Sequence, residues 1–104
     1  MTARLIATAP GHVRVEGPLD FTTVTALLAA GEALLRRPGA LEIDLGGVTA
    51  ANSAGLALIL EWLDIARSRR IALQYRDLPE SLLRIADFSN LEALLPVEGR
   101  TEVR

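Results

Sequence analysis

Apolar and polar positions alternate in two short runs near the N-terminus, Arg4 to Thr8 and Val13 to Glu16. Val13 and Val15 against Arg14 and Glu16 give the period of a half-buried strand, and Pro10-Gly11 between the runs reads as a hairpin turn. Gly17-Pro18 is expected to end the second strand. Past it the period becomes helical. Val24, Leu27, Leu28, Leu34 and Leu35 keep one spacing up to about Arg36, with Gly31 as a small packing position. Asp20, Thr22 or Thr23 can cap this helix. Arg36 and Arg37 fall in its last turn, where cations suit the helix dipole, and Pro38-Gly39 stops it.

The next run, Leu41 to Leu45, alternates again and predicts a strand with Leu41, Ile43 and Leu45 turned inward. Gly46-Gly47 is expected to open a loop that ends at Asn52-Ser53. Either of these two can accept an amide hydrogen bond at the start of a helix from about Ala54 to Ser68. Ile71 to Tyr75 predicts a strand and Pro79 to Ala86 a helix with proline in its first turn. Leu91 to Leu95 predicts one or two helical turns before Pro96. The order is β-β-α-β-α-β-α. Strands joined through helices imply an α/β fold: a four-stranded, mostly parallel sheet with an antiparallel N-terminal hairpin and three or four helices. Residues 1–96 form the expected domain, and 97–104 a polar tail expected to be mobile.

Composition narrows the chemistry. The 104 residues fit one domain. Cysteine is absent, which removes disulfides, thiolate metal sites and thiol nucleophiles. A net charge of -2 argues against a nucleic-acid partner. The longest apolar run, Ala54 to Leu60, is too short to span a bilayer, so no direct membrane insertion is expected. No export signal is read, and the expected place is the cytoplasm. Half of the chain is hydrophobic, nearly all of it Leu, Ala, Val and Ile, enough to leave apolar surface for a partner.

Candidate catalytic groups are few. His12, the only histidine, sits at the hairpin turn, and no His cluster exists to hold a metal. No phosphate-cradling glycine motif occurs, and lysine is absent. Asp44, near a strand end, reads as an outward residue or a loop-amide acceptor. Glu61 and Asp64, three apart on one helix, read as a solvated face. No catalytic residue, metal or cofactor is assigned.

Two features stand out. The first is Ser53, a hydroxyl at the mouth of a helix after a strand and a Gly-Gly loop. It reads as a plain cap or as a regulated hydroxyl, since a phosphate there would face helix N-terminal amides. Gly55 in the first turn would let another backbone come close. The second is the helix itself. At 100° per residue Ala57, Glu61, Asp64 and Ser68 form a polar stripe, while Ile59, Leu63 and Ala66 point toward the sheet. Leu58 and Ile65 lie near the polar stripe with Trp62 on its shoulder. They read as a strip half-covered by a neighbouring helix, or as an exposed docking surface in which a lone tryptophan serves as anchor.

The segment Leu41-Glu-Ile-Asp-Leu-Gly-Gly-Val-Thr-Ala-Ala-Asn-Ser-Ala-Gly-Leu-Ala-Leu-Ile-Leu resembles the signature of STAS domains, the fold of anti-sigma-factor antagonists. Within that family, Ser53 to Arg67, Leu78 to Asn90 and the ending after Leu94-Leu95-Pro96 are similar to the MlaB, or toluene-tolerance, type. That resemblance implies a non-enzymatic cytoplasmic subunit, peripheral on the inner membrane through its complex. Its implied partner is the ATPase subunit (MlaF type) of an ABC complex that moves phospholipid and maintains outer-membrane lipid asymmetry, and through it a permease. It implies Ser53 as the functional hydroxyl; joined to the reading of the helix, the expected partner contacts are Asn52, Ala54, Gly55, Leu58, Trp62 and Ile65. The alternative is an anti-sigma-factor antagonist switched by phosphorylation of Ser53. Asn52 replaces the acidic residue usual in that pattern.

Overall fold

The computed structural model describes residues 2–36 and 39–96. Two antiparallel strands, β1 (Arg4–Ala9) and β2 (His12–Leu19), meet at the Pro10-Gly11 turn. Then come helix α1 (Val24–Leu34), β3 (Ala40–Ala51), α2 (Ser53–Ser68), β4 (Ala72–Arg76), α3 (Glu80–Phe88) and a short 3-10 helix, Glu92–Leu94. The sheet order is β1-β2-β3-β4, with β2, β3 and β4 mutually parallel. This is the α/β architecture that the element order predicts.

Strand alternation assigns the two faces of the sheet. Val13, Val15, Leu19, Ile43, Leu45, Leu73 and Tyr75 are buried in one cluster. Leu27 and Leu35 of α1 and its end, Leu56, Leu58, Ile59, Trp62 and Ala66 of α2, and Leu82 and Ala86 of α3 join that cluster, with Ile71 and Leu95. The alternate residues of the strands are polar and pair with one another. Arg14 bridges Asp44 at 2.9 Å and Glu16 at 3.3 Å, and Arg4 reaches Glu16 at 3.1 Å. His12 Nδ1 lies 3.1 Å from Glu42, which Arg76 also approaches at 3.8 Å. His12 and Asp44 are thus parts of a solvated charged face. Each such pair is worth at most about 1 kcal/mol.

Several boundaries differ from expectation. β2 runs through Gly17-Pro18 to Leu19, because shifts of register on both sides accommodate the proline. β3 has 12 residues, and Gly46 to Ala51 continue the strand where a loop was expected. That extension pairs with β2, Val48 facing Gly17 and Ala51 facing Leu19. α1 stops at Leu34, so Arg36 lies beyond its last turn; Arg37, Pro38 and the expected mobile tail 97–104 fall outside the described residues. Pro79 caps α3 rather than joining it. At the open side of β4, the Tyr75 amide donates to the Pro96 carbonyl at 2.8 Å. Among the described residues no helix is long and apolar enough to cross a membrane.

Candidate functional site

Because β2 and β3 are parallel neighbours, their C-terminal ends lie together. The Asn52 amide donates to the Leu19 carbonyl at 3.2 Å. The turn Asp20 to Thr23 therefore sits beside Asn52-Ser53, and α1 and α2 start at the same end of the molecule. Thr23 is buried and ties the turn down: its hydroxyl donates to the Pro18 carbonyl at 2.8 Å and accepts from the Asp20 amide at 3.0 Å. The Asp20 carboxylate accepts from the Thr22 hydroxyl at 2.6 Å and the Thr22 amide at 2.8 Å. Those bonds, the hydroxyl first, hold its carboxyl below the ordinary aspartate range.

Asn52 takes the capping role. Its backbone is extended and its Oδ1 accepts from the Ala54 amide at 2.9 Å. Ser53 is the first residue of α2 and not its cap. Its side chain is exposed, and its hydroxyl is bonded to none of the described residues. Ala54 and Gly55 are buried directly behind it. A methyl group at Gly55 would lie 2.9 Å from Leu19 Cβ, so this glycine serves the chain's own strand and not an incoming backbone.

The expected exposed strip on α2 is not present. Leu58 is 4% and Trp62 0% exposed, and only Ile65 is half-buried. The reason is α1, which lies alongside. Gly31 offers no side chain, so the indole enters against its backbone, and Trp62 Nε1 donates to the Leu28 carbonyl at 3.3 Å. Trp62 is a core residue that locks two helices together. The polar stripe is as predicted: Ala57, Glu61, Asp64 and Ser68 are all exposed.

The apolar surface at this end comes from elsewhere. Phe21 is 75% exposed in the turn before α1. It borders a groove of about 320 Å³ between α1 and α2, shared with Val24, Leu28, Ala54, Ala57 and Leu58. Glu61 closes one side of it. Sequence reading missed Phe21, which lies between elements and so belongs to no periodic pattern. The available signal was a large aromatic in the otherwise polar turn Asp20 to Thr23, in a chain with only four aromatics.

The lone histidine lies far from this end. His12 begins β2, whereas Ser53 follows the far end of β3. About nine strand residues, roughly 30 Å, separate Glu42 beside His12 from Ala51. Among the described residues no group of three His, Cys, Asp or Glu could hold a metal ion. The geometry supports recognition: a free hydroxyl at a helix start, beside an apolar groove rimmed by an exposed aromatic.

Residues 4–96 match the family model described as Mlab, STAS domain. A search of curated proteins finds no match. Among solved structures, the chain is similar to one described as the anti-sigma factor antagonist SpoIIAA in its unphosphorylated form. The identity is 15% and the TM-score 0.71, over 96% of this chain and 89% of that one. It is also similar to an anti-sigma factor antagonist from Mycobacterium paratuberculosis, with 22% identity and a TM-score of 0.77, over 94% of this chain and 86% of that one. At these identities the likeness is one of fold.

Proposed function

Because this chain belongs to the STAS domain family, we propose that it is a non-catalytic subunit that binds the ATPase subunit of a phospholipid-transporting ABC complex. It docks through the end of the molecule that carries Ser53. One observation supports this most directly: the exposed, unbonded Ser53 hydroxyl beside the Phe21-rimmed groove. An exposed aromatic beside an apolar groove is the kind of contact that anchors a partner, and a solvated hydroxyl next to it can exchange water for a partner's group. The description of the matching family model supports the choice of partner. Asn52 supports it too, since a neutral cap holds the helix without placing charge beside the hydroxyl.

The test is co-purification with a candidate ATPase subunit of such a complex. Ser53→Glu places charge at the contact, and Phe21→Ala removes the exposed aromatic. Each is expected to weaken the complex about tenfold or more, with unchanged circular dichroism. Full retention of the complex by both variants would refute the docking end.

The second reading, an anti-sigma-factor antagonist, is favoured by the same exposed hydroxyl at a helix start, where a phosphate would meet the positive end of the helix dipole. Incubation with ATP and the candidate anti-sigma kinases separates the two. Phosphate on Ser53 supports partner switching, and its absence with stable ATPase binding supports the transporter subunit.

A further inference from the structure

The C-terminal ends of α1 and α2 lie side by side at the opposite pole. Arg69 Nη1 donates to the carbonyls of Leu35 at 3.2 Å and Glu32 at 3.4 Å. Four exposed arginines gather around these ends: Arg36, Arg67, Arg69 and Arg70. Arg69 also pairs with the Glu32 carboxylate at 3.5 Å. The side chains of Arg36, Arg67 and Arg70 pair with no carboxylate among the described residues.

Helix-end electrostatics accounts for part of this, since cations suit helix C-termini. It explains Arg67 in the last turn of α2 and Arg69 on the α1 carbonyls. It does not explain Arg70. This residue has a left-handed backbone, φ 57°, where the Ile71 amide folds back onto the Ala66 carbonyl at 2.8 Å. Glycine takes that position freely and asparagine readily, as Asn90 does at the end of α3, whereas arginine takes it only at a cost. An arginine held there against its backbone preference points to a use for its side chain.

The same pole carries the hairpin turn and the starts of β3 and β4, since the Glu42 amide bonds Gly11 and the Ala72 amide bonds Gly39. The surface between them mixes apolar groups with polar ones, Thr8, His12, Glu42 and Gln74 among the latter. A hollow of about 480 Å³ is lined by Ala7, Ala9, Pro10, Val13, Leu34 and Leu41 among others, and none of the arginines lines it. The arginines therefore sit at the blunt ends of two neighbouring helices and do not line that hollow. An extended plane of phosphates can meet several of them at once; a single phosphate in a pocket cannot. Guanidinium is weakly hydrated and binds phosphate with paired hydrogen bonds.

We propose that this arginine-bearing pole rests on the anionic headgroups of a phospholipid bilayer, with Arg36, Arg67 and Arg70 on headgroup phosphates. The contact is electrostatic and peripheral. It leaves the Ser53 end turned away from the bilayer, free for a protein partner, and it does not depend on which partner that is.

Sedimentation with phosphatidylcholine vesicles, with and without phosphatidylglycerol, tests this. Binding is expected to the phosphatidylglycerol vesicles and to disappear at high salt. The triple variant R36E/R67E/R70E is expected to lower the partition coefficient by on the order of a hundredfold. Arg84→Glu, on an exposed arginine of α3 that pairs with Glu80, is expected to leave it nearly unchanged. No preference for phosphatidylglycerol, full binding by the triple variant, or an equal loss in Arg84→Glu would each overturn the proposal. Should the triple variant lose its circular dichroism, Arg70→Gly alone is expected to lower binding about fivefold with the fold intact, and no loss there overturns the proposal equally.

Discussion

The indole of Trp62 lies against the backbone of Gly31, where any side chain would collide with it. Packing at this point sets how closely α1 can approach α2. Gly31→Ala is expected to destabilise the fold by about 1–3 kcal/mol through overpacking. Trp62→Ala leaves a cavity and is expected to cost about 3–5 kcal/mol. Thermal unfolding checks both, at about 4–8 °C per kcal/mol for a domain of this size. A Trp62 variant that melted like the parent would contradict the burial described above.

Asn52 satisfies the Ala54 amide, so its loss should be felt by α2 as a whole. Asn52→Ala is expected to cost about 1 kcal/mol, and Asn52→Asp to be neutral or slightly stabilising, because a carboxylate also suits a helix start. Denaturant midpoints distinguish the three proteins.

Tyr75 gives the fold an alkaline limit. Its hydroxyl donates to the Ile59 carbonyl, and burial pushes its pKa well above the ordinary value of 10.0. The folded state therefore keeps the proton while the unfolded chain releases it. Above pH 10 the unfolded state binds fewer protons, and stability falls as pH rises, by up to about 1.4 kcal/mol per unit. Below pH 10 the contribution is fully present. Tyr75→Phe should cost about 1 kcal/mol near neutrality and unfold less steeply with rising pH. Equal alkaline slopes for the two proteins would refute this.

Arg70→Gly should separate stability from binding. Relief of the left-handed backbone is expected to stabilise by about 1 kcal/mol, while the guanidinium is lost. A higher melting temperature with weaker vesicle binding is the expected pair of outcomes, measured on one preparation.

Much of this was legible in the residues. Strand and helix periods predict the element order, but Asn52 and Ser53 read equally well as the cap of α2, and only the extended backbone at Asn52 decides between them. The faces of α2 were only half legible. Helical spacing puts Ile59, Leu63 and Ala66 on one side, but it cannot say that α1 covers the adjacent flank. Leu58 and Trp62 were therefore open to both readings, half-covered or exposed, although Gly31 marks the place where the indole enters. β3 looked short because Gly46-Gly47 carries no strand pattern, yet its pairing with β2 carries the strand through to Ala51. Phe21 was missed because a turn has no period to violate.

The hydrogen bond from the Tyr75 amide to Pro96 closes part of a sheet margin that no other described strand pairs with, and Leu95 beside it is buried. A chain cut before Leu95 would keep all three helices and the whole hydrophobic cluster apart from that leucine. It would also bare β4 as a template for strand addition by its neighbours in solution. Colloidal behaviour, and not secondary structure, would be the first property to fail in such a fragment.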